Sequence, residues 1–498
     1  MRRRLPDLLA LALALAASLA SAWVSSVYFE RIPHLEDEFA NLWEADVMAT
    51  GRIALPSPPQ PQSFLVPFVV DDHGLRFGKY PPGYPAALSL GARAGTPWLV
   101  NALLAGFSVW LIYRLGSRLA GKAAGVIAAS LAAGSPMLMM LSGSLMSHDL
   151  SLFLTVAFCL AWFDLFPRGG GAPPVPAPLL IAVAGGSLGL MALTRPLTAV
   201  AVGLPFMVHS AFILIRGDGR RRARLLGMAA IAGALAALLL VWQWALTGDL
   251  FTNPYLLWWP YDKVGFGLGF GRMASGHNLH WAYINTRFSL RAGLHDLFGW
   301  PYISWLFLPF GLWALRRHRD GWLTFAVAPV LVLVYAAYWI GAWLMGPRYY
   351  YDGLGAMAVV SGAGIAWLAG WMSEAARGVR WRQAVVGVGV IVLMALNVDF
   401  YLPARLEMMR GLYGMDRERM IPLQQANLGR ALVVVRTSVD WTAYGSLLTL
   451  TPPYAGGDLL LAYSRGRLTD ARLAQLFADR PVYYYYTDTP YVLYRSPR

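Results

Sequence analysis

The sequence is poor in charged residues and nearly free of cysteine. Of its 498 residues, 14% are charged and 57% are hydrophobic, whereas soluble domains carry about 25% charged residues. The single cysteine, Cys159, lies in an apolar stretch, which excludes a disulfide framework or a thiolate metal site within one chain. We interpret Cys159 as a small buried side chain. The sequence also shows no internal repeat.

The charged residues are unevenly distributed, and this pattern predicts a membrane protein. Charge-free windows of roughly 17–25 residues, each long enough to cross a bilayer core about 30 Å thick, alternate with basic clusters. The net charge of +14 is therefore explained by basic residues at the cytoplasmic ends of helices. Nucleic acid is not expected as a partner.

Eleven membrane helices are predicted, and they place every basic cluster between them on one side. The positive-inside rule then puts the N-terminus in the cytoplasm and the C-terminus outside. Residues 18–22 resemble a signal-peptide cleavage site, but the apolar stretch continues to Phe29, so an uncleaved anchor is expected. The predicted helices are 8–29, 97–115, 122–141, 149–166, 178–194, 196–215, 225–246, 298–315, 321–344, 353–373 and 383–401.

The predicted fold is thus an α-helical polytopic membrane domain, residues 1–402, followed by a small external domain, residues 403–498. Two large external loops, 30–96 and 247–297, belong to the first domain. The second domain is predicted to be α/β, because its sequence contains short β-branched and aromatic runs and one helical stretch. The predicted strands are 431–436, 459–463, 482–486 and 491–494, and the predicted helix is 470–478 with Thr469 as its N-cap.

The first external loop begins with three consecutive acids, Glu36, Asp37 and Glu38. Adjacent carboxylates repel one another, so at least one is expected to have a raised pKa, which suits a general base. Acids are equally favoured at a solvated helix start by the N-terminal dipole. Spacing alone leaves both interpretations open.

The same loop ends in a proline-rich turn that contains Lys79 and Tyr80. Proline fixes the backbone and removes hydrogen-bond donors, so a rigid turn entering the membrane is predicted. Lys79 there is placed to meet a lipid phosphate. The alternative is that its side chain simply reaches the headgroups.

Further ionisable residues fall at the predicted outer boundary. His148 and Asp149 begin one helix, Arg195 precedes another, and Arg348 and Tyr349 precede a third. Charged groups at this depth are costly and usually face a cavity or a partner. A structural ion pair of Asp149 with Arg195 is the alternative to a functional cavity.

The second external loop is rich in glycine and histidine. His277, His280 and His295 are spaced too loosely for a standard zinc pattern. A divalent metal, loop packing and substrate contact all remain open for His277, and no cofactor is required. The glycines at 265–271 lack the Lys-Ser/Thr of a P-loop, so a flexible loop is expected.

Taken in order along the chain, these residues resemble the GT-C glycosyltransferases. The closest branches are the bacterial protein O-mannosyltransferase-like enzymes and the lipid A aminoarabinose transferases. The resemblance covers roughly residues 5–400. The extra acid Glu36 and the long Gly/His-rich loop depart from the family pattern. The resemblance rests on the topology, Asp37-Glu38, the Lys-x-Pro-Pro turn at Lys79, Asp149, Thr194-Arg195-Pro196 and Gly346-Pro347-Arg348-Tyr349.

The resemblance implies an inverting transfer of sugar from a polyprenyl-phosphate donor to an acceptor hydroxyl outside a bacterial cytoplasmic (inner) membrane. Asp37 would be the base, with Glu38 beside it, and Lys79, Arg348 and Arg195 would hold the donor phosphate. Lipid, glycan and protein acceptors stay open. A transporter or flippase is the alternative function. The other residues expected to line the cavity are Glu36, Tyr80, His148, Asp149, Tyr349 and His277.

Overall fold

The computed structural model describes residues 4–168, 171–372, 380–451, 453 and 457–498, and it is mainly helical. Helices α1 to α17 precede the C-terminal sheet, and their order follows the apolar segments of the sequence. They are α1 (Leu5–Val27), α2 (Glu36–Ala49), α3 (Gly83–Arg93), α4 (Leu99–Ala120), α5 (Lys122–Ala133), α6 (Pro136–Gly143), α7 (His148–Leu165), α8 (Ala177–Ala192), α9 (Pro196–Arg216), α10 (Gly219–Thr247), α11 (Pro254–Trp258), α12 (Leu279–Asp296), α13 (Leu308–Leu315), α14 (Arg319–Tyr335), α15 (Leu354–Leu368), α16 (Arg380–Leu396) and α17 (Leu402–Glu407).

Six helical segments among the described residues are long and apolar enough to span a membrane: α1, α4, α7, α9, α10 and the run Arg380–Glu407. The pair α5 and α6, bent by 55°, would add a seventh. The chain is therefore a multi-pass membrane protein. Each of the eleven predicted segments contains a helix, but several are shorter than predicted, so the count of eleven crossings stays a prediction.

Two predicted membrane segments are helical over only part of their length. In 298–315 the helix begins at Leu308, and in 321–344 it ends at Tyr335. After Tyr335 the backbone pairs with the second external loop, through a bridge between Tyr338 and Val264. This tertiary pairing competes with helix formation.

The bundle packs through small residues, which let helices approach closely. Helix α15 lies against α5 and α13. An added Cβ on Gly362 of α15 would lie 2.7 Å from the carbonyl oxygen of Ala124 in α5. This close approach fixes the position of α15 and of the 3-10 helix Arg348–Gly353 that precedes it.

The first external loop adds a three-stranded antiparallel sheet of order β1-β3-β2. A two-residue turn, His73 and Gly74, joins β2 to β3, and both residues have positive φ, as such hairpins require. After β3 the backbone N–H of Lys79 donates to Phe68 O at 3.0 Å, which positions Lys79. The strands are β1 (Leu55–Pro56), β2 (Val69–Asp72) and β3 (Leu75–Gly78).

The C-terminal domain is α/β, as predicted. Its sheet has the order β5-β4-β6-β7; β4 is parallel to β5 and β6, and β7 is antiparallel to β6. Three strands match the predicted bounds, and the fourth is shorter than predicted. The elements are α18 (Ile421–Ala426), β4 (Ala431–Arg436), α19 (Gly445–Leu448), β5 (Leu459–Tyr463), α20 (Arg467–Leu476), β6 (Val482–Tyr486) and β7 (Leu493–Tyr494).

The predicted start of the domain's helix is wrong. Helix α20 begins at Arg467 with Gly466 as its N-cap, not at residue 470 with Thr469. The carboxylate of Asp470 accepts hydrogen bonds from Ser464 Oγ at 2.7 Å and Arg465 N at 3.3 Å. These bonds draw the chain into the helix earlier than a Thr469 cap would.

The C-terminal domain packs on the first external loop. The rings of Trp441 and Phe39 are 5.6 Å apart, and those of Phe477 and Phe64 are 5.7 Å apart. The guanidinium of Arg465 also donates to Gln62 O at 2.9 Å. The domain therefore covers the face of α2 that carries Phe39. The predicted division at residue 403 falls within α17.

Candidate functional site

The two ends of the bundle differ in their charged groups. At one end, Lys122 pairs with Asp7 at 2.6 Å, Arg118 with Asp164 at 3.2 Å, and Arg319 donates to Phe166 O at 2.9 Å. The starts of α2, α7 and α9 and the 3-10 helix at Arg348 meet at the other end. The candidate site therefore lies at the end of the bundle opposite these basic residues.

Asp37, in the first turn of α2, lies at the centre of the candidate site. Its Oδ2 is 3.6 Å from Nη2 of Arg348, and its Oδ1 accepts a hydrogen bond from Tyr80 OH. The Asp37 side chain is 24% exposed and that of Arg348 is 17% exposed. Three residues proposed from the sequence therefore meet at one partly open point.

The neighbouring acids, Glu36 and Glu38, have different environments. Burial, and then the charge of Asp37, raise the pKa of Glu36. Glu38 is fully buried and accepts a hydrogen bond from His34 N at 3.3 Å; burial raises its pKa to about 8. Of the three acids, only Asp37 has a described contact with both a cation and a tyrosine.

Lys79 is enclosed beside this centre. Its ammonium lies 3.5 Å from the centroid of the Phe68 ring and 5.4 Å from that of Tyr80. Its Nζ is 3.4 Å from Oδ2 of Asp262, and the two side chains are 3% and 1% exposed. Burial lowers the pKa of Lys79, although Asp262 opposes the effect.

Arg195, together with His148, Tyr335 and Tyr349, forms a polar layer next to Arg348. It donates to Nε2 of His148 at 2.8 Å and to Tyr335 OH at 3.2 Å. The Tyr335 ring stacks on Tyr349 with centroids 4.9 Å apart, and Tyr349 adjoins Arg348. The layer therefore connects Arg195 and His148 to Asp37.

Asp149 does not pair with Arg195 in the described structure. Its Oδ1 accepts a hydrogen bond from Tyr351 OH at 2.8 Å, and its side chain is fully buried. The contacts of Arg195 go to His148, Thr198 and Tyr335 instead. The alternative of an Asp149–Arg195 ion pair is therefore wrong, and Asp149 anchors the segment that carries Arg348.

His277 lies apart from these groups. Its Nε2 is 3.0 Å from Ala336 O, and its ring stacks on Phe266 with centroids 5.1 Å apart. Its described contacts join the second external loop to the segment after α14. Within the described ranges, no group of three or more His, Cys, Asp or Glu side chains is arranged to hold a metal.

The sequence reasoning missed Asp262 and its partners. Asp262 Oδ1 accepts hydrogen bonds from Tyr338 OH at 2.6 Å and Trp339 Nε1 at 2.9 Å. A carboxylate directly after the aromatic-rich segment Trp258–Tyr261 of the second external loop is the available signal, because aromatic side chains commonly enclose cations. The pairing with Lys79, however, depends on the fold.

A well-formed cavity lies away from Asp37. It has a volume of about 490 Å³ and lies on the opposite face of α2, against the C-terminal domain. Its lining includes Phe39, Trp43, Asp46 and Leu461. Beside Asp37, the side chains of Lys79 and Asp262 are buried, at 3% and 1% exposed.

The arrangement at Asp37 supports one kind of chemistry. An oriented carboxylate can accept a proton, and the planar guanidinium of arginine can donate two hydrogen bonds to the oxygens of one phosphate. Cations held in a water-poor pocket stabilise the charge that develops on a leaving phosphate. The site therefore combines a proton acceptor with anion-stabilising groups.

Comparisons with known proteins give one family match and several similar structures. A family model described as "Family of unknown function (DUF6541)" matches residues 70–430. No curated protein matches the sequence. The structure of ArnT from Cupriavidus metallidurans bound to undecaprenyl phosphate is similar, with a TM-score of 0.60 and 13% identity, covering 95% of this chain and 89% of that one.

A second similar structure is the archaeal oligosaccharyltransferase AglB from Archaeoglobus fulgidus, in complex with an inhibitory peptide and a dolichol-phosphate. Its TM-score is 0.53 at 14% identity, covering 90% of this chain and 64% of that one. At these identities the likeness concerns the fold, which is GT-C-like, as the sequence predicted.

Proposed function

This chain belongs to the family of unknown function DUF6541, and we propose that it is an inverting glycosyltransferase that uses a polyprenyl-phosphate-linked sugar. The observation that carries the proposal is the contact of Asp37 with Arg348, 3.6 Å between Oδ2 and Nη2. A proton acceptor next to a phosphate-binding group is what this transfer needs. The similar ArnT structure holds undecaprenyl phosphate, which supports a lipid phosphate as the ligand.

In the proposed reaction, an acceptor hydroxyl attacks the anomeric carbon of the donor sugar, and Asp37 takes the hydroxyl proton. The new glycosidic C–O bond forms as the bond from that carbon to the phosphate oxygen breaks. The electron pair of the broken bond stays on the phosphate, so polyprenyl phosphate leaves as an anion. A positioned general base contributes about 10²–10⁴-fold to such a step.

The leaving phosphate needs no acid, but its charge must be stabilised. Arg348, adjacent to Asp37, is the first candidate, and Lys79 and Arg195 are the others. Tyr80 and Tyr349 lie between these groups and orient them through the Asp37 hydrogen bond and the stack on Tyr335. Losing one stabilising group of this kind typically costs about 2.7–4 kcal/mol in the transition state.

The proposed location is the outer side of a bacterial cytoplasmic membrane. The site lies at the end of the bundle opposite Lys122, Arg118 and Arg319, and basic residues favour the cytoplasmic side. The C-terminal domain would then also lie outside. The acceptor, whether lipid, glycan or protein, would approach from that compartment.

The test is a transfer assay with purified protein and a panel of polyprenyl-phosphate sugars. We expect release of polyprenyl phosphate with at least one donor, accompanied by glycosylation of an added acceptor. Asp37→Asn should abolish release, whereas Asp72→Asn, in strand β2 of the same loop, should not. Release by none of the donors, or unchanged release by Asp37→Asn, would contradict the proposal.

A further inference from the structure

The ion pair of Lys79 with Asp262 leaves no free face on the lysine ammonium. Besides Phe68, its nitrogen faces the rings of Trp259 at 4.7 Å and Tyr255 at 5.0 Å. The carboxylate of Asp262 closes the remaining side at 3.4 Å. An added phosphate therefore cannot reach the ammonium while Asp262 stays in place.

Asp262 lies in the second external loop, far from Lys79 in the sequence, and this loop packs as one unit with the segment that follows α14. The backbone of its loop pairs with the segment after α14, through Gly265 N donating to Ala337 O at 2.8 Å. Its carboxylate is held by Tyr338 and Trp339 of that segment. The Tyr338 ring lies 5.6 Å from Tyr349, so the unit extends to the residue next to Arg348.

We propose that Asp262 competes with the donor phosphate for Lys79, and that donor binding replaces its carboxylate with the phosphate. This inference rests on the proposed function and names a residue that controls donor binding at that site. Asp262 positions Lys79 and takes no part in the bond changes.

The exchange is reasonable on electrostatic grounds. A buried cation without a counter-charge is strongly unfavourable, so Lys79 needs an anion at all times. Displacing Asp262 with nothing in its place would leave an unpaired buried charge, whereas an arriving phosphate supplies the replacement. In the exchange the carboxylate moves away from Lys79 together with Tyr338 and Trp339, whose hydrogen bonds to Oδ1 offset part of the cost of unpairing its charge. The Lys79–Asp262 pair thus stabilises the donor-free state. The apparent affinity for the donor is the intrinsic affinity multiplied by the fraction of molecules in which Lys79 is not paired with Asp262.

The experiment measures binding of undecaprenyl phosphate, without sugar or acceptor, to purified full-length protein by microscale thermophoresis. Asp262→Asn keeps the shape and removes the charge, so we expect tighter binding, on the order of tenfold. Tyr338→Phe, which keeps the charge but loosens Asp262, should tighten binding less. Lys263→Ala, an exposed neighbour, serves as the control and should match the wild type.

A double-mutant cycle separates competition from a general structural effect. In a Lys79→Ala background, Asp262→Asn should no longer change the affinity. Binding that is weaker or unchanged in both Asp262→Asn and Tyr338→Phe would overturn the inference while leaving the proposed function intact. If Asp262→Asn does not fold, the result for Tyr338→Phe decides. If the wild type binds no undecaprenyl phosphate, or Lys79→Ala binds it equally well, the phosphate role of Lys79 fails and the inference with it.

Discussion

Arg348 and Asp37, which lie near opposite ends of the membrane domain's sequence, meet with Nη2 and Oδ2 3.6 Å apart. Arg348 is held by the 3-10 helix before α15 and Asp37 by the first turn of α2. A carboxylate and a cation that the sequence suggests separately thus form one site. The contact orients the carboxylate towards the groups proposed to receive the phosphate.

Asp37→Asn should abolish transfer, with kcat falling by about 10²–10⁴-fold. The amide preserves the shape and the Tyr80 contact but cannot accept the hydroxyl proton. The measurement is sugar transfer at saturating donor, with Asp72→Asn as the matched control. Normal turnover by Asp37→Asn, together with an inactive Glu36→Gln or Glu38→Gln, would reassign the base to a neighbour.

Arg348→Lys should be harmful although it keeps the charge. Lysine is a point charge and cannot grip a phosphate with the planar fork of arginine. We expect kcat/KM for the donor to fall by about 10²-fold, whatever the acceptor. Arg316→Lys, at the opposite end of the bundle, is the control. An unchanged donor dependence would limit Arg348 to anchoring its helix.

Glu38 should make stability depend on pH. Its pKa in the fold is about 8, against an ordinary value of 4.5, because it is buried. Between these values the folded protein keeps a proton that the unfolded chain releases, so this carboxyl lowers the free energy of unfolding by about 1.4 kcal/mol per pH unit as pH rises. Below pH 4.5 both states are protonated, and the effect is absent.

Glu38→Gln removes this dependence. Its stability relative to the wild type should therefore rise from pH 5 to pH 8, measured by thermal unfolding in detergent. Glu407→Gln, at a side chain 60% exposed, is the control. A difference between wild type and Glu38→Gln that stays constant over this range would show that Glu38 is not protonated in the fold.

A reporter fused after Arg498 should be active only outside the cytoplasm. The reason is that the C-terminal domain packs on the loop bearing Asp37, at the end opposite the basic groups. The measurement is the activity of a compartment-dependent reporter, with a fusion after Arg317 in the predicted cytoplasmic loop as the control. Cytoplasmic activity after Arg498 would reverse the orientation and the side of the proposed reaction.

The individual residues at the Asp37 centre could be proposed from the sequence because each lies next to a local signal. Asp37 begins a helix, Lys79 and Arg348 follow or precede prolines, and Arg195 ends an apolar run. Such signals identify unusual positions but not their partners. Hence the alternative of an Asp149–Arg195 ion pair is wrong, and no local signal pairs Asp262 with Lys79.

The sequence by itself determined that the chain is a multi-pass membrane protein, the approximate positions of its apolar helices and the three main strands of the C-terminal domain, because apolar run length and strand-forming patterns act locally. Only the tertiary structure decided that α14 ends at Tyr335, that Asp37 rather than Glu38 meets Arg348, and that Lys79 is paired with Asp262. These outcomes depend on contacts between segments far apart in the chain. A carboxylate's partner and burial follow from which segments the fold brings together, and no local pattern contains that information.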